Sequence, residues 1–296
     1  MIDIVYERVK RVAETLSMFK EDFIVLLEKK DPQYQAVKLL ALKNPRAAAI
    51  VSIANALISY QLTGRGEDYW SEVGRYFVEK NIVNPVELFL EFKDFLLNHT
   101  RYNRRYVYTK ISRLEKLWKS NLLNTLWENP TLYCRCQEKL LGELVRIYRQ
   151  PWSAKTLVFA VKMYYYFCKA RGLDVKPSQK IPMPCDRRIC FITLSSGILY
   201  IKGATITWNN IWRYVDLLMK KHRDSIVQAW FLVSKLSGLP AIYMDTVIWL
   251  LARFIMRGRS IEDIYKEFTR VYEVEFLPSK LVKSLIHELL FILHVA

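Results

Sequence analysis

Histidine is scarce in this chain of 296 residues: His99, His222, His287 and His294 are its four, scattered, and no HExxH pattern joins two of them. No metal site is expected. Phosphate-loop and GxGxxG signatures are also absent, which leaves nucleotide-driven and dinucleotide chemistry without support, so no cofactor is expected either. No segment reaches the roughly 18 uninterrupted apolar residues of a membrane span. The best run, AAAIVSIANALISY, sets Ser52, Asn55 and Ser59 on one helical stripe. The N-terminus, MIDIVYERVKRVAETL, alternates charged and apolar residues and has no compact apolar region followed by small residues. An unprocessed protein of the cytoplasm, associated with the nucleoid, is expected. The five cysteines are odd in number, with Cys134 and Cys136 one residue apart and Cys168, Cys185 and Cys190 at unrelated spacings. That pattern indicates neither a disulfide framework nor a zinc site, and reduced cysteines packing as small apolar residues are expected. No internal repeat and no low-complexity tract is visible.

What the chain has in abundance is positive charge and helical periodicity. Forty-five Lys and Arg against 29 Asp and Glu give a formal net charge of +16, while 52% hydrophobic residues supply a core. A basic, well-packed protein points to a polyanion, and nucleic acid is the leading candidate. The excess is not a tail: from Arg101 to Lys119 seven basic residues and one acid, Glu115, interleave with Tyr102, Tyr106, Tyr108 and Trp118. An ordered, aromatic-bearing basic surface follows from that pattern.

Asp31-Pro32, Asn44-Pro45, Asn84-Pro85 and Asn129-Pro130 each place a capping residue before a proline suited to the first helical position. Ser153 and Thr207 are further cap candidates, and Ser260 to Asp263 resembles a capping box with Asp in place of Glu. Helices are predicted near 3–17, 20–29, 32–42, 46–62, 67–80, 85–98, 104–119, 131–148, 154–170, 186–196, 208–220, 224–237, 241–257, 261–271 and 279–293. Only GILYIKGATITW, residues 197–208, could hold a short extended piece. The fold class is all-α.

The stretch Ser153–Arg188 pairs a lysine with an aspartate. On a helix at about 100° per residue, Lys155, Phe159, Lys162, Tyr166 and Lys169 share one stripe and Leu157, Val161, Tyr164 and Cys168 the opposite one. The second suits a core; the first, alternating cations and rings, suits something anionic and flat. Lys155 in the first turn is either a solvated lysine or, where the macrodipole disfavours a cation, a nucleophilic amine. Asp186 follows Gly172 and Pro177, Pro182 and Pro184; it can cap the helix beginning RRICFITL, stabilise positive charge on a substrate, or do both. Asp245, within LPAIYMDTVIWLLAR one turn before Trp249, needs either a partner inside the fold or a ligand whose hydrogen bonds it accepts. Taken alone, Gln33 reads as a solvated first-turn residue and Trp70 as a core ring.

Several blocks carry a family resemblance: DPQYQAV from Asp31, NALISYQLTGRGEDYW from Asn55 to Trp70, KTLVFAVK from Lys155, IPMPCD ending at Asp186, and LPAIYMDTVIWLLAR from Leu239. In their order and spacing they resemble the archaeal 8-oxoguanine DNA glycosylase (AGOG) family, a divergent branch of the helix-hairpin-helix glycosylases. The blocks run from residue 31 to about 253, and the tail after about 258 shows no recognisable motif.

The resemblance implies an all-α fold of two helical subdomains with the active-site cleft between them. One would be central, residues 66–160 with the helix-hairpin-helix; the other would be built from 1–65 and 161–296. It also implies a bifunctional N-glycosylase and abasic-site lyase that excises 8-oxoguanine. Lys155 matches the nucleophile and Asp186 the essential carboxylate. Phe159 and Trp249 match the rings that sandwich a flipped base, and Gln33, Trp70, Lys162, Pro184 and Asp245 line its pocket. The partner expected is double-stranded DNA containing 8-oxoguanine, with single-stranded DNA as a further candidate, bound by a monomer. Two departures stand out. LVRIYRQPWSAKT has no glycine between Leu144 and Lys155, so DNA phosphates would fall to Arg146, Arg149, Arg187, Arg188 and helix N-terminal amides. The four-cysteine spacing of an iron–sulfur cluster is missing. The rival reading is a helical nucleic-acid-binding protein without catalysis, whose Lys155 stripe only touches phosphates.

Overall fold

The computed structural model describes residues 2–295. In chain order its elements are β1 (Ile2–Ile4), α1 (Tyr6–Ser17), α2 (Glu21–Glu28), α3 (Pro32–Lys43), α4 (Pro45–Ile58), α5 (Gly66–Val78) and α6 (Pro85–Asp94), the last extended by a π turn (Phe95–His99). Then come α7 (Val107–Trp118), α8 (Asn121–Glu128), α9 (Gln137–Tyr148), α10 (Lys155–Ala170), α11 (Arg187–Ser195) and β2 (Leu199–Ile201). The chain closes with α12 (Ile211–Lys221), α13 (Arg223–Ser237), α14 (Ala241–Ile255), α15 (Ile261–Tyr272), α16 (Ser279–Leu289) and α17 (Phe291–Val295). The fold is all-α apart from one two-stranded ribbon.

Local chemistry explains most helix starts. The Asn44 and Asn84 side chains accept the Ala47 and Glu87 N–H groups at 3.1 and 2.9 Å, each with proline at the first helical position. Ser260 accepts the Asp263 N–H at 3.1 Å and donates to its carboxylate at 2.6 Å, closing the capping box. Asn129-Pro130 does not start a helix. α8, in a stretch for which no helix is predicted, ends there with Asn129 as its C-terminal flank, because a residue before proline is driven out of helical geometry. Ser153 and Thr207 do not cap either; Ala154 and Asn210 precede α10 and α12.

The chain forms two compact units. An internal unit is Pro32–Ser178, and a terminal unit joins the residues through Asp31 to those from Gln179 onward. The division thus falls at 31/32 and 178/179 rather than at 65/66 and 160/161. The reason is packing: α10 lies against α4, α3 and α9, and α3 against α5, so α3, α4 and all of α10 share one core. Gly74 of α5 permits that approach, since a Cβ there would sit 3.3 Å from the Cα of Ala36. α10 is buried on every side from Ala160 to Cys168. Its full-height Leu157, Val158, Val161 and Phe167 each contribute about 1.5–3 kcal/mol of apolar burial. Cys134 and Cys168 form a disulfide with Cα atoms 5.6 Å apart, tying the segment before α9 to the far end of α10. The expectation of five reduced cysteines is therefore corrected. Cys134 and Cys168 are brought together by the fold, and Cys136, Cys185 and Cys190 are free thiols.

In the terminal unit β1 pairs antiparallel with β2, Ile2 opposite Ile201 and Ile4 opposite Leu199. Residues predicted helical at the very N-terminus are thus extended, because a partner strand from GILYIKGATITW is available. α1 packs on α13 and α16, and α11 on α12 and α14. Arg8 secures this core: its guanidinium donates to the Ser196 and Glu288 carbonyls, each at 2.9 Å, and lies 3.8 Å from the centroid of Phe291. Among the described residues no single helix is long and apolar enough to cross a membrane.

Candidate active site

α9, residues 149–154 and α10 make a helix-hairpin-helix in the internal unit. The turn has no glycine, and Arg149 itself adopts the left-handed conformation (φ 49°) that ends α9, a place where glycine is usual. Lys155 is the first residue of α10. Ala154 before it offers no side-chain cap, and the Lys155 amine enters no ion pair or hydrogen bond among the described residues.

Arg113 of α7 clamps this turn. One of its terminal nitrogens donates to Gln150 at 3.0 Å and to Thr156 at 2.7 Å, its guanidinium lies 4.4 Å from the Tyr148 ring centroid, and the Tyr148 hydroxyl donates to the Arg113 carbonyl at 3.0 Å. Burial holds the Arg113 guanidinium below its ordinary pKa. The sequence reading counted this residue only as part of a basic run. Its signal was Leu114 and Ile111 beside it, which put α7 against the core.

One turn after Lys155, the Phe159 ring meets Trp70 edge to face, centroids 5.9 Å apart. Trp70 is buried, and so is Gln33 in the first turn of α3. Lys162 is buried as well, 5.4 Å from the Tyr166 ring, so the cation-and-ring stripe of α10 faces protein beyond its first turn. Behind Trp70 a buried chain runs from Lys110, which donates to Asn103, whose amide donates to the Tyr69 hydroxyl at 2.7 Å; Tyr69 donates to Asn55 at 2.5 Å. Burial lowers the Lys110 amine to about 8 and pushes the Tyr69 hydroxyl up. This network also escaped the sequence reading, although Asn55 inside an apolar helix was its signal.

The terminal unit holds the remaining candidates. Asp186 caps α11: one carboxylate oxygen accepts the Arg188 and Ile189 N–H groups at 2.9 and 3.0 Å, and the other takes no bond among the described residues. Pro184 and Cys185 are buried beside it, with the Cys185 and Cys190 sulfurs 3.6 Å apart. The sulfur–sulfur contact with Cys185, and burial after it, raise the Cys190 thiol. Asp245 and Trp249 lie one turn apart on α14, Asp245 buried. The Arg188 guanidinium covers one face of Trp249, 4.1 Å from its centroid, and donates to the Trp249 carbonyl at 3.3 Å.

The four arginines proposed for phosphates differ. Arg146 is ion-paired with Glu143, Arg187 pairs with Asp216 at 3.1 Å and stacks on Trp212, and Arg188 is engaged with Trp249. Arg149 alone of the four is exposed and enters no ion pair or hydrogen bond among the described residues. No group of three or more His, Cys, Asp and Glu among the described residues has the geometry to hold a metal ion.

A family model described as N-glycosylase/DNA lyase (AGOG) matches residues 13–281. The match extends past residue 258, where recognisable motifs end. Curated relatives named N-glycosylase/DNA lyase include those of Pyrobaculum aerophilum, 28% identical over 90% of this chain and 94% of that protein, and Methanopyrus kandleri, 30% identical over 77% and 83%. The Thermococcus kodakarensis relative is 32% identical over 76% of each chain. A crystal structure of an 8-oxoguanine DNA glycosylase from Pyrobaculum aerophilum in complex with 8-oxoguanosine superposes with a TM-score of 0.70, 24% identity, and coverage of 92% of this chain and 98% of that one. It shares the fold.

Proposed function

The chain belongs to the N-glycosylase/DNA lyase (AGOG) family, and from that premise we propose that it excises 8-oxoguanine from double-stranded DNA and nicks the strand at the resulting site, with Lys155 as nucleophile. It does so as a monomer inside the cell. The observation that carries the assignment is Lys155 itself. It is a half-buried amine without a counter-ion, at the start of a helix, one turn from a ring that another ring holds in place.

A base inside a duplex is out of reach, so the nucleotide turns out of the stack and the base is held between rings and read by polar groups. Phe159 and Trp249 are the rings. Trp70 meets the first edge to face, and Arg188 lies over one face of the second. Gln33 and Lys162 in the internal unit and Pro184 and Asp245 in the terminal unit are the further residues proposed to contact the base, Asp245 accepting hydrogen bonds from its edge. The neutral Lys155 amine attacks C1′; the C1′–N bond breaks and its electron pair leaves with the base, which takes a proton. The amine loses a proton and the sugar ring opens, giving a Schiff base between Lys155 and C1′. Loss of the C2′ proton expels the 3′ phosphate as a β-elimination, and water then releases Lys155. Asp186 stabilises the cationic sugar and takes protons. Its capping oxygen holds it in place and its other oxygen is open for that work.

The test is product identification on a duplex with one 8-oxoguanine. The expected products are free 8-oxoguanine and a strand ending in an unsaturated aldehyde; release of guanine at the same rate from undamaged DNA contradicts the reading. Trp249→Ala and Phe159→Ala are expected to slow excision at least about tenfold more than nicking at a preformed abasic site, with equal losses counting against the sandwich.

A further inference from the structure

The basic, tyrosine-bearing run Arg101–Lys119 has no part in the base pocket, and the structure shows what it presents. On α7, Lys110, Ile111, Leu114 and Leu117 face the core, while Tyr108, Thr109, Ser112, Lys116 and Lys119 are exposed and share an arc of about 100°. Tyr106 and Tyr108 are 63% and 78% exposed. Tyr106 stands in the left-handed conformation (φ 56°), uncommon for a bulky residue. Arg101, Arg105, Lys116 and Lys119 enter no ion pair among the described residues, and the one acid of the run, Glu115, is half-buried. Exposed cations in the terminal unit include ion-paired ones, as Lys266 is with Glu262 and Arg259 with Glu267.

The base of this face is fixed. Glu72 accepts the Thr100 hydroxyl at 2.6 Å and the Arg101 N–H at 2.9 Å, and the Arg104 side chain donates back to the Thr100 carbonyl at 3.1 Å. The Tyr102 carbonyl accepts the Thr63 N–H at 2.8 Å, and its ring covers Gly64 so closely that a Cβ there would lie 2.5 Å from it. Buried Asn103 carries the network already described. The face is also placed. Arg113, on the same helix, holds Gln150 and Thr156, so Tyr108 stands five residues, or about 8 Å along the axis, from the clamp on the turn that carries Lys155. Eight ångströms is about two base-pair steps of duplex.

We propose that this face is a second DNA-contact surface, in which Arg101, Arg105, Lys116 and Lys119 take phosphates of the duplex arm to one side of the lesion and the Tyr106 and Tyr108 rings stack on an unstacked base there. Unpaired cations on an acid-free arc match a polyanion, and exposed rings among them match base faces rather than phosphates. The surface is indifferent to sequence, as a grip on the flanking DNA must be. The proposal rests on DNA being the substrate and not on Lys155 being the nucleophile.

The probe is an undamaged duplex, with a second carrying one unpaired base, measured by fluorescence anisotropy across a salt series. Replacing three cations together, Arg105→Gln, Lys116→Gln and Lys119→Gln, is expected to flatten the slope of log K against log salt by about 2.7. The pair Tyr106→Asn, which suits the left-handed conformation, and Tyr108→Ala is expected to weaken binding to the unpaired-base duplex about tenfold with the slope unchanged. Lys10→Gln, Lys235→Gln and Lys280→Gln together make the same charge change on exposed residues of the terminal unit and are expected to leave the slope nearly intact. An unchanged slope in the first triple, or an equal change in the second, overturns the proposal. Should a variant fail to fold, protection of Lys116 and Lys119 from acetylation by DNA in the unaltered protein decides; absence of protection overturns the surface. Failure of covalent trapping on damaged DNA would instead reject the role of Lys155 and leave these measurements standing.

Discussion

The starts of α10 and α11 solve one problem in opposite ways. Both helices leave N–H groups without intrahelical partners. At α11 the Asp186 carboxylate accepts two of them, so an anion is locked at the positive end of the helix, its most favourable place. At α10 nothing caps: Ala154 has no oxygen in its side chain, and the first helical residue is a lysine, the charge least suited to that end. The first arrangement gains rigidity from its cap, while the second leaves its first N–H groups without a side-chain acceptor. The carboxylate caps α11 with one oxygen, and its other oxygen takes no bond among the described residues. The lysine has no structural duty, and Arg113 supplies the rigidity that a cap would have given.

Removing the reactive group at the uncapped end has the largest expected effect. Lys155→Met is expected to lower excision and nicking by more than about a thousandfold while affinity for a damaged duplex changes less than tenfold; single-turnover kinetics beside a binding curve check it. Next comes Asp186→Asn, which still caps. Folding stability is expected within about 0.5 kcal/mol of the parent while turnover falls about 10²- to 10⁴-fold, whereas Asp186→Ala adds a loss of about 1 kcal/mol in denaturant unfolding. The far end of α10 is anchored covalently, so Cys134→Ser with Cys168→Ser is expected to lower unfolding free energy by about 4 kcal/mol for a loop of this length, with sequence separation 34. Last, Ala154→Ser gives α10 the cap that α11 has. A gain of up to about 1 kcal/mol in stability and a loss of DNA affinity are expected together, and a gain in both would break the contrast.

How far the sequence reveals this can be seen residue by residue. Asn44 and Asn84 are legible because capping is local: the asparagine, the proline and the N–H it serves lie within four residues. Asn129-Pro130 presents the same pair of letters at the end of α8, since the residue before a proline is expelled from helical geometry whichever side the helix lies on. Lys155, Phe159 and Asp186 are legible through the blocks they occupy. Lys162 falls on the same stripe of α10 as Lys155 and Phe159, but whether a stripe meets solvent or protein depends on what packs around it, and α10 proves central. The pairing of Cys134 with Cys168 and the clamp of Arg113 join residues 34 and 43 or fewer positions apart through folding alone, beyond the reach of spacing.

Borohydride trapping on a duplex bearing one 8-oxoguanine tests the central claim most directly, because reduction fixes the Schiff base between enzyme and C1′ and peptide mapping locates it. The account predicts an adduct of the unaltered protein at Lys155 and none with Lys155→Met. An adduct at another lysine, or undiminished trapping by the methionine variant, would contradict it.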